Sequence, residues 1–168
     1  MWQLLKQIGR AGLPAEPAPA PEDSWRGEAQ AIQASLLQIL GRALSVRQVD
    51  AGSCNGCELE IHAMNNAIYN CERFGINFTA SPRFADMLLV TGPVSINMEI
   101  ALKRTYASTP NPKLVVAVGD CGCDGGIFGE SYASLGRIEN VIPVDAQIPG
   151  CPPTPVDLLL GILKVIGG

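Results

Sequence analysis

The sequence predicts a doubly wound α/β domain, with a parallel sheet and helices on both of its faces. Short apolar runs alternate with helical patterns from residue 44 onward. The run Asp86–Thr91 is almost continuously apolar, as expected of a strand buried on both faces. Three of the predicted strands lead into loops that contain cysteine and glycine, at the sheet edge where such folds place their ligands.

The elements follow in a regular order along the chain. The predicted strands are Leu44–Val49, Gly75–Ala80, Asp86–Thr91, Leu114–Val118 and Val141–Val144. The predicted helices of this domain are Glu58–Arg73, Ile96–Tyr106 and Thr154–Ile166. Because a helical pattern separates most consecutive strands, the connections should be crossovers and the sheet parallel. This order favours a flavodoxin-like domain over residues 44–168.

Residues 1–43 differ from the rest of the chain. Met1–Arg10 is a short amphipathic segment that suits either a membrane surface or a partner subunit. Leu13–Asp23 is rich in proline and alanine and is predicted to be an extended linker. Ser24–Ala43 is predicted to form a helix. We therefore expect two regions, 1–43 and 44–168.

Composition restricts the class of protein. The chain has 168 residues, a net charge of −4, 47% apolar residues and only 17% charged residues. The acidic balance and the lack of a basic stripe argue against nucleic acid as a partner. Few charges suggest that other subunits cover much of the surface. The sequence shows neither a secretory signal nor an apolar run long enough to span a membrane, so we expect a cytoplasmic protein with reduced thiols.

Five of the six cysteines follow predicted strands. Cys54 and Cys57 form a C-x-x-C turn after the first strand, Cys121 and Cys123 follow the fourth, and Cys151 follows the last. The carboxyl ends of parallel strands meet at one edge of a sheet, so these thiols should converge. Four thiolates suit either Zn²⁺ or an iron–sulfur cluster. Single ligands arriving from distant strands favour a [4Fe–4S] cluster over zinc. The G-D-C-G-C-D-G-G loop is a poor phosphate-binding candidate because it lacks the P-loop lysine and the G-x-G-x-x-G order.

Four motifs carry a resemblance to a known family: G-S-C-N-G-C-E-L-E-I, S-P-R-F-A-D-M-L-L-V-T-G-P-V, V-G-D-C-G-C-D-G-G and V-D-A-Q-I-P-G-C-P-P-T-P. From about Leu44 to Gly168 the chain resembles the small subunit of energy-converting, membrane-bound [NiFe]-hydrogenases of the formate-hydrogenlyase type. The 20-kDa iron–sulfur subunit of complex I belongs to the same superfamily. The resemblance implies one [4Fe–4S] cluster with the ligands Cys54, Cys57, Cys121 and Cys151.

The resemblance also implies a role and partners. It implies an electron-transfer subunit, not catalytic alone, that works between a large subunit with a Ni–Fe centre and ferredoxin-like subunits. Integral membrane subunits would hold the complex at the inner face of the cell membrane. Complex I subunits have adjacent cysteines in the first motif, whereas this chain has the hydrogenase spacing C-x-x-C, with Gly56 expected at positive φ. A complex I-type role and a zinc-stabilised interaction module are the alternatives.

Six other residues have less specific interpretations. Cys123 is either a thiol beside the cluster or an alternative ligand, and Cys71 is a small buried apolar residue. We interpret His62, the single histidine, as a packing residue in preference to a ligand or a proton relay. Glu58 and Glu60 either complement the helix dipole or serve the subunit interface. Arg83 is either a solvated turn residue or, by the resemblance, a contact with the large subunit.

Overall fold

The computed structural model describes residues 41–167, together with single helical positions at Lys6, Gly27, Gln30, Ala34 and Gln38. Five strands form one sheet in the order β2-β1-β3-β4-β5, and every neighbouring pair is parallel. The strands are β1 Leu44–Asp50, β2 Ile76–Phe78, β3 Met87–Thr91, β4 Leu114–Val118 and β5 Ala146–Ile148. This strand order is that of the flavodoxin-like fold, so the predicted fold class is confirmed.

Within residues 41–167, four helices lie on both faces of the sheet. They are α1 Gly56–Ala63, α2 Ile96–Ser108, α3 Gly119–Cys123 and α4 Pro155–Gly167. Apolar residues of α1 and α4 pack with Met87 and Leu89 of β3 on one face. Leu102 of α2 packs with Leu88 and Val90 of β3 on the other face, in the second core. Alternate β3 side chains thus enter separate cores, which explains why this strand is apolar at consecutive positions.

The first helix is shorter than predicted. It ends at Ala63, not at Arg73, and a 3₁₀ helix follows at Cys71–Phe74. The Asn66 side chain accepts hydrogen bonds from the backbone N–H groups of Ile68 (2.8 Å) and Tyr69 (3.0 Å). Such local bonds compete with the helical ladder, and they stop the helix although apolar residues continue at helical spacing.

The last strand is also corrected. It spans Ala146–Ile148, whereas Val141–Val144 was predicted. Val141 and Ile142 instead follow a 3₁₀ helix at Ile138–Asn140 and pack in the second core. Pro143 has no N–H to donate to a sheet, so a strand at these positions would be interrupted.

The predictions for the N-terminal segment, its linker and most of its helix lie outside the described residues. Residues 41–43 are not helical, and Gly41 has a φ of 63°, so the predicted helix does not reach Ala43. Within the described residues, no helix is both long enough and apolar enough to cross a membrane.

Candidate metal centre

Four cysteines line one small pocket at the carboxyl edge of the sheet. They are Cys54 in the loop after β1, Cys57 in the first turn of α1, Cys121 within α3 and Cys151 after β5. All four thiols are free. The predicted convergence at the sheet edge is therefore present for four of the five thiols, whereas Cys123 does not line the pocket. The error in the bounds of the last strand does not affect the place of Cys151.

The loop that carries Cys54 and Cys57 is ordered by local hydrogen bonds. The Asp50 carboxylate accepts the backbone N–H groups of Gly52 (2.7 Å) and Ser53 (2.8 Å). Asn55, with a φ of 71°, is the residue in the left-handed conformation. The expectation that Gly56 would have positive φ is wrong. Asparagine tolerates this region better than most residues, so Asn55 makes the turn.

The loops that carry Cys121 and Cys151 are joined by a reciprocal pair of hydrogen bonds. The backbone N–H of Asp120 donates to the Gly150 carbonyl (3.0 Å), and the Asp120 carboxylate accepts the N–H of Gly150 (2.7 Å). Each bond is made by a residue directly before a cysteine. Asp120 was not among the predicted site residues, and its only signal in the sequence is its place beside Cys121.

Two glycines, which have no side chain, make room for two of the thiols. A Cβ atom on Gly119 would lie 2.6 Å from the Cys57 sulfur, and one on Gly126 would lie 2.8 Å from the Cys121 sulfur. Both glycines also have positive φ, of 78° and 53°. These positions therefore require glycine twice, for the backbone conformation and for the close approach of sulfur.

The thiols disfavour one another's ionisation. Burial first, and then the negative charges of Glu58 and of the other three cysteines, together raise the pKa of Cys57 to about 12. Burial also raises the pKa of Cys121, and the negative charges of Cys151 and Cys54 raise it as well. Thiolates so close together need a compensating cation, and a bound metal centre supplies one.

The remaining two cysteines are in the core. Cys123 is 8% exposed and packs in the second core, and its sulfur donates to the Ala117 carbonyl at 3.7 Å. Cys71 is fully buried and donates to the Asn65 side chain at 3.1 Å. Neither residue lines the thiol pocket.

The two glutamates near the pocket differ in environment. Glu58 is 4% exposed, and neither carboxylate oxygen has a hydrogen-bond partner among the described residues. Glu60 is half-buried, whereas His62 and Arg83 are exposed. None of the four lines the thiol pocket, but Glu58 follows Cys57 directly and acts on it electrostatically.

The thiol pocket is not arranged as a single-ion site. Across the described part of the chain, no three histidine, cysteine, aspartate or glutamate side chains are grouped so that they could hold one metal ion.

Known proteins resemble this chain over the same region. It is 45% identical to formate hydrogenlyase subunit 7 of Escherichia coli (strain K12), over 81% of this chain and 53% of that protein. The chain thus spans about half of that relative's length. It is 45% identical to "Probable membrane-bound hydrogenase subunit mbhJ" of Pyrococcus furiosus, over 79% of this chain and 80% of that protein. It is 43% identical to an NADH-quinone oxidoreductase subunit of Desulfovibrio desulfuricans, over 74% of this chain and 67% of that protein.

A solved structure shows the same relationship. A chain of the membrane-bound sulfane sulfur reductase, an archaeal respiratory membrane complex, superposes with a TM-score of 0.65 at 32% identity, covering 83% of this chain and 76% of that chain. These relatives are subunits of oxidoreductase complexes, and the resemblance found in the sequence is confirmed. A family model described as NADH ubiquinone oxidoreductase, 20 Kd subunit, matches residues 54–165. The chain therefore belongs to the family of the 20 Kd subunit of NADH ubiquinone oxidoreductase.

Proposed function

We propose that this chain is the electron-transfer subunit of a membrane-bound [NiFe]-hydrogenase complex and carries one [4Fe–4S] cluster. It would connect a large subunit with a Ni–Fe centre to ferredoxin-like iron–sulfur subunits. Integral membrane subunits would hold the complex at the cytoplasmic face of the cell membrane. The observation that carries the proposal is the pocket lined by Cys54, Cys57, Cys121 and Cys151.

The pocket fits a cluster by its donors and its shape. Four thiols are the ligand set of a [4Fe–4S] cluster, which when bound supplies one-electron redox chemistry. Zinc would need its four sulfurs about 2.3 Å from a single point, and among the described residues no three such side chains are grouped to hold one ion. Gly119 and Gly126 let two of the sulfurs face the pocket.

The neighbouring residues hold the four thiols in position and shield them. Asp120 ties the Cys121 and Cys151 loops together, and Asp50 orders the loop before Cys54. Pro152 and Gly150 line the pocket beside Cys151. Hydrogen bonding and burial around the sulfurs are the means by which a protein adjusts the potential of such a centre.

The surface next to the thiols suits a partner subunit. Ile127, Phe128 and Tyr132 are 94%, 55% and 97% exposed in the segment that follows α3. Phe128 also borders a groove that Cys54 lines. Large apolar side chains grouped at a surface mark interaction sites, and Cys54 and Cys151 are themselves exposed. A large subunit seated here would bring its own centre close to the thiols.

The C-x-x-C spacing favours the hydrogenase branch over the complex I branch. The hydrogenase-named relatives are 45% identical to this chain and the NADH-quinone oxidoreductase relative is 43% identical, so identity alone does not separate the two. The turn made by Asn55 between Cys54 and Cys57 is the local difference. A complex I-type subunit with its cluster near a quinone site is the second candidate, and the family description favours it.

Metal analysis of the anaerobically purified complex tests the proposal. We expect nickel in the large subunit and interconversion of H₂ with two protons and two electrons. Iron without nickel, together with quinone-dependent activity, would refute the hydrogenase assignment and support the second candidate. A visible absorption spectrum of this chain, purified anaerobically and separated from the other iron–sulfur subunits, distinguishes a cluster, which gives a broad brown absorbance, from a zinc-stabilised module, which gives none.

A further inference from the structure

A second cavity, of about 240 Å³, shares no lining residue with the thiol pocket. It lies beside the second half of β1 and the residues that directly follow β2. Its polar lining consists of Arg47, Gln48, His62, Asn65 and Thr79, and no residue that lines it is acidic. The cavity thus presents a guanidinium, an imidazole, two amides and a hydroxyl without a carboxylate to balance them.

Arg47 lines this cavity and has an unmet hydrogen-bonding group. Its Nε atom is buried and has no hydrogen-bond partner among the described residues. A buried donor without an acceptor is costly, and a guanidinium costs more than a neutral group. The Nε–H and a neighbouring N–H of arginine form a fork that matches the two oxygens of a carboxylate. The missing partner is therefore an anionic acceptor.

The surroundings of the cavity indicate a protein side chain as that acceptor. The volume is below the roughly 300–1,000 Å³ that is usual for small-molecule pockets. Leu59, one helical turn before His62 on α1, is 62% exposed, and Ile68 in the turn after α1 is 66% exposed. These exposed apolar residues are close in the chain to His62 and Asn65, which line the cavity. Together with the Arg47 charge they would form a hydrophobic and electrostatic match for an acidic residue on another protein surface.

We propose that this cavity receives an aspartate or glutamate side chain of a neighbouring subunit, which pairs with Arg47 while Leu59 and Ile68 pack against the surface around it. This docking site rests on the proposed function only in requiring that the chain works inside a multisubunit complex. It is separate from the thiol edge and serves assembly, not electron transfer.

Cross-linking in the intact complex tests the contact directly. The substitution Arg47→Lys places a primary amine in the cavity, and a carbodiimide joins an amine to a carboxylate that touches it without adding a spacer. We expect a cross-link between position 47 and an aspartate or glutamate of another subunit, identified by mass spectrometry. Arg104→Lys is the matched control because Arg104 is exposed on α2, on the other face of the sheet. It should give at least tenfold less cross-link.

Charge reversal supplies the second readout. Arg47→Glu should lower the fraction of this chain that co-purifies with a tagged partner at least tenfold, and Arg104→Glu should lower it less than twofold. Arg47→Met, which keeps the length of the side chain, should weaken retention while the iron content per retained chain stays normal. That combination excludes misfolding as the cause.

Three results would overturn the proposal. They are an intact Arg47→Lys complex without a cross-link from position 47 to another subunit, normal retention of Arg47→Glu, and a phospholipid that co-purifies with the wild type but not with Arg47→Met. A failed nickel test would leave these measurements unaffected, since the cross-link reports a contact whatever metal the partner binds.

Discussion

Gly119→Ala tests how the backbone makes room for the thiol pocket. The new Cβ would lie 2.6 Å from the Cys57 sulfur and 3.3 Å from the Gly150 carbonyl oxygen. Comfortable non-bonded contacts begin at about 3.5 Å, so the sulfur must move by about 1 Å. Metal–ligand distances tolerate changes of about 0.2 Å. We therefore expect this variant to lose the cluster.

Gly75→Ala is the matched control. Gly75 has a φ of 79°, almost the same as the 78° of Gly119, but nothing lies within 4 Å of the position of its added Cβ. Both variants carry the cost of a left-handed alanine, about 1–2 kcal/mol of unfolding free energy. Only Gly119→Ala displaces a thiol. The comparison therefore separates backbone strain from loss of the site.

The assay has two parts. Iron and acid-labile sulfide per chain, measured on anaerobically purified complex, should fall by one cluster in Gly119→Ala and stay unchanged in Gly75→Ala. Pulse proteolysis in urea should show about 1–2 kcal/mol of destabilisation of this chain in Gly75→Ala and more in Gly119→Ala, which also loses the stabilisation that the bound cluster supplies. Full iron content in Gly119→Ala, or equal iron loss in both, would show that the close approach of Gly119 to Cys57 does not control the site.

Three further predictions concern single side chains. Cys151→Ser should lose the cluster and the assembly, whereas Cys123→Ser should keep near-normal iron because Cys123 packs in the core. Iron analysis of both variants is the test, and the reverse pattern would make Cys123 the fourth ligand. Asp120→Ala should cost about 1.5 kcal/mol of unfolding free energy by removing the acceptor for Gly150, while Asp120→Asn, which retains an acceptor, should cost clearly less by pulse proteolysis. Burial raises the pKa of Cys71 to about 11, so the native thiol should resist iodoacetamide at pH 8, and rapid alkylation of the native protein at that pH would contradict this. Because the folded protein disfavours the Cys71 thiolate, the free energy of unfolding should fall as the pH rises from about 9 to 11.

Most of the fold follows from patterns that reflect burial. Alternate residues of β3 enter two separate cores, so a continuous apolar run was a reliable sign of a central strand. The end of α1 could not be predicted in the same way. Ile68 continues the helical spacing, but its backbone N–H donates a hydrogen bond to the Asn66 side chain and not to the helix. Apolar periodicity carries no information about such a local hydrogen bond.

The site was predictable for a different reason. The carboxyl ends of parallel strands share one edge, so the position of a cysteine in the strand order was enough to bring Cys54, Cys121 and Cys151 together. The finer geometry was not predictable. Asn55 has the positive φ expected of Gly56, and the role of Asp120 depends on a carbonyl and an N–H of a loop 30 residues away.

The placement of the four cysteines also sets an order of assembly. Cys54 follows β1 and Cys151 follows β5, so the pocket is complete only when the first and last strands have joined the same sheet. Cys54 and Cys57 alone offer half of the ligand set. A nascent chain that has not yet emerged past residue 151 cannot retain a four-thiolate centre. Insertion of the proposed cluster would therefore follow folding of nearly the whole domain, and a group bound to all four thiols would stabilise the domain as a unit, not one loop of it.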